Sequence, residues 1–188
     1  MKQSKSILIT APSGAGKTTL VKKLLVDYPD FEFSVSCTTR PKREMEIDNK
    51  DYYFISLEKF LSHIKANDFL EWEEVYAESY YGTLKSELQK IQSKNNIPIF
   101  DIDIMGAMSI KKVLGKDVLS IFIAPPTMEV LEQRLRNRHT ETEEKIATRL
   151  AKAKSEMKFE NFFDKKIIND DLDTAYNSLT AVINKFLG

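Results

Sequence analysis

Cysteine is nearly missing from this chain: Cys37 stands alone among 188 residues. That excludes an intramolecular disulfide and a cysteine-built zinc site, and suits a reducing compartment. Long apolar runs are missing too, none nearing the ~20 residues that cross a bilayer. The opening Met1-Lys2-Gln3-Ser4-Lys5 leads straight into a strand-like pattern, with no room for a signal peptide. Together these predict a cytoplasmic protein with no membrane partner. Net charge is also absent: 28 basic residues offset 28 acidic ones, so bulk nucleic-acid binding is not expected. There are no internal repeats, no low-complexity linker and no metal-ligand spacing around His63 or His139, and the length suits one compact domain. Oligomeric state leaves no signal in the sequence.

Arginine is scarce as well. Six of the 28 basic residues are arginine, gathered in two stretches: Arg40 and Arg43, then Arg134, Arg136, Arg138 and Arg149. Where lysine is the default cation, clustered arginines mark sites that need a planar fork, as phosphate oxygens do.

The stretch that organises the rest is Ala11-Pro12-Ser13-Gly14-Ala15-Gly16-Lys17-Thr18-Thr19. Ile7-Leu8-Ile9 before it reads as a buried parallel strand, and Leu20, Val21, Leu24 and Leu25 after it have helical spacing. A phosphate loop needs this strand-to-helix context, because unpaired backbone N–H groups at a helix start converge on an anion. Lys17 is expected to reach the β and γ phosphates of a nucleoside triphosphate, with the Thr18 hydroxyl on Mg²⁺. The motif's usual first glycine is Ala11 here, a position whose torsions alanine could resist.

Downstream, the pattern predicts a strand over Phe31–Ser36, then a polar segment Cys37–Arg43, a strand Asp51–Ile55, and a helix after the cap Ser56. Phe69–Tyr76 alternates apolar and acidic residues, which by itself reads as a solvated face. Tyr80–Thr83 reads as a turn, followed by a helix over Leu84–Gln92. The strand Ile97–Asp103 ends in Asp101 and Asp103, carboxylates where open α/β sheets bind their ligands; Asp101 is expected near Mg²⁺, directly or through water. Helix over Gly106–Leu114, strand over Val118–Ile123, a helix capped by Thr127 and ending at Arg136, a charged helix over Glu141–Lys158, a strand at Ile167-Ile168 and a closing helix Leu172–Phe186 complete the chain. The fold class is α/β: a parallel sheet covered by helices on both faces, its rhythm interrupted by a strand-rich insertion.

The motifs PSGAGKTTL, SVSCTTRPKR, DYYF, FLEW, YYGT, DIDIMGA, IFIAPP, RLRNRHTETEE and INDDLD, in this order over nearly the whole chain, resemble the guanylate kinase family of P-loop nucleoside monophosphate kinases. The resemblance implies a single domain: a core of residues 1–35, 84–125 and 159–188, a GMP-binding subdomain 36–83 and a helical lid 126–158. It implies transfer of the γ-phosphoryl group of ATP to GMP, and to dGMP, with Mg²⁺. It implies that Arg40, Arg43, Tyr52 and Tyr81 hold the GMP phosphate, that Ser36, Glu71 and Thr83 read guanine, and that Asp103 lies near the base. The loop Ala11–Thr19 would bind ATP together with Arg134, Arg138 and Asn169, and Lys17, Arg40, Arg43, Arg138 and Arg149 would carry catalysis. Departures from the family pattern are Ala11, the loop Glu44-Met45-Glu46, and His139. Two other readings keep the same fold: a protein-binding module without activity, and a kinase of a sugar phosphate.

Overall fold

The computed structural model describes residues 5–137 and 142–188. Five parallel strands form the central sheet, in the order β2 (Phe31–Phe33), β7 (Ile97–Asp101), β1 (Ser6–Thr10), β8 (Val118–Ala124) and β9 (Lys165–Ile168). The middle strand β1 is wholly buried, as a parallel strand covered on both faces must be. Its side chains alternate: Ile7 and Ile9 pack with Leu20 and Leu24 of α1 (Lys17–Asp27) and with Leu179 and Ile183 of α7 (Leu172–Leu187). Leu8 points the other way, to Phe100, Phe122 and Ile110 of α4 (Ile104–Leu114). One strand thus joins two cores.

A second sheet lies beside the first, in the order β4 (Tyr53–Phe54), β3 (Cys37–Thr38), β6 (Ser79–Leu84) and β5 (Phe69–Tyr76). It is mostly antiparallel and much smaller in its core. Cys37, Phe60 of α2 (Leu57–Lys65) and Phe69 are its buried centre, with the two phenyl rings stacked at 4.5 Å. The expected cap holds: Ser56 accepts the Lys59 backbone N–H. From this sheet the chain returns through α3 (Lys85–Ser93) to β7.

Several local expectations change. The strand expected over 31–36 ends at Phe33: Ser34 N–H still bonds Ile99 O at 2.9 Å, and from Cys37 the chain pairs with Gly82 of the other sheet instead. Three residues therefore carry the chain between sheets. The polar segment after Ser36 accordingly begins as strand, whereas the strand expected over 51–55 shortens to Tyr53–Phe54. Tyr80–Thr83 is strand rather than turn. The reversal falls earlier, at Glu78 with φ 60°, and Gly82 serves close strand approach, since a Cβ there would lie 2.9 Å from Glu71 O. Helix α4 starts two residues early because the Asp103 carboxylate caps it, accepting Gly106 N–H at 2.9 Å.

The last layer is a helical pair, α5 (Met128–Arg136) and α6 (Glu143–Glu156), packed through Leu131, Leu135, Ile146 and Ala153. Both helices have threonine caps, Thr127 and Thr142. Helix α6 is shorter at both ends than the charged pattern suggests, passing into a 3-10 stretch over Met157–Phe162.

Candidate active site

A cavity of about 680 Å³ opens between the two sheets at the carboxyl ends of β1 and β7. Its floor is the loop after β1. Gly14 and Gly16 have φ of 94° and 92°, the left-handed region that glycine enters without steric cost. A Cβ on Gly16 would stand 2.2 Å from Asn169 Nδ2, so packing as well as torsion reserves this position for glycine. Ala11, by contrast, is buried and keeps a negative φ, so the alanine in place of the motif's first glycine asks nothing unusual of the backbone.

Lys17 begins α1, and its Nζ is held by the Asp101 carboxylate and by Ile102 O at 3.3 Å. Burial pulls its ammonium down to about 8, opposed by the nearby carboxylates of Asp103 and Glu156. Thr18 is exposed at the mouth of the loop. Among the described residues no group of three acidic, histidine or cysteine side chains could bind a metal without help. That donor set still fits Mg²⁺, which takes one or two protein oxygens and completes its shell with phosphates and water.

Across the cavity the second sheet presents a chain of hydrogen-bonded side chains. Thr83 donates to Glu71 Oε1 at 2.7 Å, and the Ser36 and Thr83 hydroxyls meet at 3.1 Å. These residues come from β5, β6 and the link between the sheets, so the pairing Glu71↔Thr83 is what assembles them. Burial pushes the Glu71 carboxyl up to about 7, with Asp103 and Glu73 adding repulsion. The result is a partly buried acceptor with the Thr83 hydroxyl bonded to it and the Ser36 hydroxyl one step behind.

Beside it lies a cation held from several sides. Arg40 donates Nε–H to Tyr81 OH at 3.0 Å, and its two terminal nitrogens bond the Glu46 carboxylate at 2.7 and 2.5 Å. The guanidinium sits over the Tyr52 ring at 5.0 Å. Arg43 is exposed, and its backbone N–H bonds Glu46 as well, at 2.8 Å.

The helical pair reaches the loop from the other side. Arg149 donates to Ser13 Oγ at 2.9 Å. Arg134 donates to the backbone oxygens of Asn169 and Asp170, and the Asn169 amide donates to Ala15 O at 2.7 Å. Asn169 therefore braces the loop after β1 directly, and Arg134 braces Asn169. Arg138 and His139 lie outside the described residues.

The cavity wall thus brings together Ala11, Pro12, Ser13, Gly14, Gly16, Lys17, Thr18 and Thr19 with Ser36, Tyr52, Glu71, Tyr81, Asp101 and Asp103. Thr83 and Arg40 stand directly behind that wall, and Ala15 is buried within the loop. Arg43, Arg134, Arg149 and Asn169 do not line it. Asp103 does so while capping α4. Glu46 is the residue that sequence reasoning passed over: the acid lies in an irregular loop, where no periodicity marks a residue, and only its position three residues after Arg43 hinted at a partner.

The model of the family described as guanylate kinase matches residues 3–186. A guanylate kinase of Porphyromonas gingivalis is 44% identical over 98% of each chain. One from Sus scrofa is 44% identical, covering 98% of this chain and 94% of its own. The crystal structure of guanylate kinase from Anaplasma phagocytophilum superposes with a TM-score of 0.75 at 28% identity, covering 97% of this chain and 85% of that one.

Proposed function

The chain belongs to the guanylate kinase family and transfers the γ-phosphoryl group of ATP to GMP, and we propose that the cavity between its two sheets holds both substrates, ATP on the loop and GMP on the second sheet. The observation that carries this reading is the chain Ser36, Thr83 and Glu71 facing the same space as Lys17. An ionised Glu71 accepts from guanine N1–H and the exocyclic amino group, and the two hydroxyls turn from the bonds they make to each other and to Glu71 to donate to O6 or N7. Adenine reverses donor and acceptor on that edge and would leave a desolvated carboxylate facing a lone pair, a loss of roughly several kcal/mol.

The acceptor oxygen of GMP is ionised at neutral pH, so no general base is required. What remains is to align two anions and to neutralise charge on the moving group. Lys17 serves the β and γ phosphates. Arg40 and Arg43, with the Tyr52 and Tyr81 hydroxyls, serve the acceptor phosphate, and Arg149 of the helical pair, together with Arg138, serves the transferred group. Arg134 and Asn169 frame the ATP side, and Asp103 borders the base. Thr18, and Asp101 directly or through water, would hold Mg²⁺, which supplies charge neutralisation between the phosphates. Approach of the second sheet and the helical pair, residues 36–83 and 126–158, excludes water and limits wasteful ATP hydrolysis. Single-cysteine usage and the absence of a membrane-length apolar helix among the described residues support assignment to the cytoplasm.

The test is ADP release from Mg-ATP with GMP, dGMP, AMP, TMP or no acceptor. Turnover dependent on GMP and dGMP, lost in Glu71→Ala, is the expected result. Equal turnover with AMP would overturn the base-reading assignment. Turnover with none of the acceptors would favour the binding-module reading, against which the intact Lys17 and both arginine groups already argue.

A further inference from the structure

Glu46 is the one acid in the cavity wall whose carboxylate is spent on the acceptor-phosphate arginine. A guanidinium has five N–H donors in a fixed plane. In Arg40, Nε–H goes to Tyr81 OH, one terminal N–H goes to Pro41 O at 3.0 Å, and one from each terminal nitrogen goes to Glu46. Four of the five are therefore engaged among the described residues. The fifth lies on the edge that the second terminal nitrogen shares with Nε, next to the Tyr81 hydroxyl. That hydroxyl accepts from Nε and keeps its own proton to donate.

On this basis we infer that Glu46 is a positioning residue for the acceptor phosphate, fixing Arg40 so that one N–H and the Tyr81 O–H face a phosphate monoester side by side. The inference rests on the reading of the cavity as a GMP site and extends it to a residue that touches no substrate. Two further features support it. Both side chains are mostly covered, at 12% and 17% exposure, so Arg40 without Glu46 would lose its counter-charge and two of the four bonds that fix its plane. Glu46 also accepts the Arg43 backbone N–H, so one carboxylate sets the loop that carries the second arginine. Bidentate pairing confers this kind of geometric specificity. It also leaves Glu46 with an acidity well suited to staying ionised, its carboxyl lowered to about 2 by Arg40.

The test is Glu46→Gln, which keeps volume and removes the charge and one acceptor. The KM for GMP should rise about tenfold, with kcat at saturating GMP and the KM for ATP within about twofold of wild type. Thermal unfolding shows whether the variant is folded. Because Glu46 acts through Arg40, adding Glu46→Gln to Arg40→Lys should change the GMP KM by less than about twofold, whereas an independent structural role would add in full. A GMP KM that is unchanged in the single variant, or that falls because a competing anion has gone, overturns the assignment. Wild type with no GMP-dependent ADP release would instead sink the reading of the cavity. GMP titrated calorimetrically into both proteins then decides about Glu46 without turnover: weaker binding to Glu46→Gln supports it, and equal binding overturns it.

Discussion

The two halves of the cavity solve recognition in opposite ways. On the central sheet the proposed phosphate site is made of backbone N–H groups and one half-buried lysine, on a scaffold whose middle strand is wholly buried. On the second sheet the proposed base site is made of side chains bonded to one another, with three buried residues, Cys37, Phe60 and Phe69, beneath them. Backbone recognition needs rigid packing and reads only charge and shape. Side-chain recognition tolerates a slighter scaffold, because hydrogen bonds between Ser36, Thr83 and Glu71 hold the array, and it can tell one base from another.

If this contrast is right, damage to the first half abolishes turnover without altering base preference. Lys17→Ala should lower kcat by about a hundredfold or more, roughly 3 kcal/mol of transition-state stabilisation, while GMP binding by calorimetry stays near wild type. Near-normal turnover would refute the loop assignment. Gly16→Ala should come next. It forces alanine into φ near 92° and against the Asn169 amide, a cost of about 1–3 kcal/mol in folded-state stability, read as a lower urea midpoint together with weakened ATP binding. Adding Asn169→Ala would remove the clash and leave the torsional strain, so a partial recovery of the midpoint is expected.

The same contrast explains what the sequence made legible. A backbone site depends on residue types at fixed local spacing, so the stretch from Ala11 to Thr19 announces itself, as do the strand Ile7-Leu8-Ile9 and the helix that follows. Resemblance to a family supplied the arrangement of Glu71, Thr83 and Ser36, which local pattern alone could not, since an acid in an alternating strand reads as solvated. What stayed hidden is tertiary. Tyr80–Thr83 has turn-like composition, yet pairing with β5 makes it strand. Asn169 lies 154 residues from the carbonyl it bonds. Glu46 sits in a loop whose only regularity is the arginine it faces.

Acidity offers a sharper probe of the second half. Burial pushes Glu71 up to about 7, and the proposed guanine contact needs its ionised form, so the KM for GMP should fall as pH rises from 6 and level off above about 8. The GMP phosphate titrates as well, so the informative quantity is the difference between wild type and Glu71→Gln, in which the Glu71 part of the slope disappears. Stability without ligand moves the other way. The native state keeps a proton on Glu71 that the unfolded chain releases above the usual 4.5, so this contribution is full below that value and is lost as pH rises through 7. Wild type should lose stability relative to Glu71→Gln across that window, measured as the gap between urea midpoints. A constant gap would mean that Glu71 is ionised in the empty site.

The smallest expected effect tests whether the side-chain array is a chain rather than a set of separate contacts. Ser36 is its end: removing that hydroxyl leaves Thr83 still bonded to Glu71 at 2.7 Å. Ser36→Ala should therefore raise the KM for GMP by about tenfold or less, the worth of one neutral hydrogen bond at about 0.5–1.5 kcal/mol. Thr83 is the middle. Thr83→Val keeps the shape but strips Glu71 of its donor and Ser36 of its partner, so its effect on GMP should exceed that of Ser36→Ala. In the double variant the loss of Ser36 should cost less than it does alone, because its bond to Thr83 has already gone and only its own contact with guanine remains to be lost. Steady-state GMP and ATP titrations on the three variants check this, with the KM for ATP flat throughout. Fully additive losses would show that each hydroxyl meets guanine independently, and a shifted ATP KM would show that the two halves are not separable.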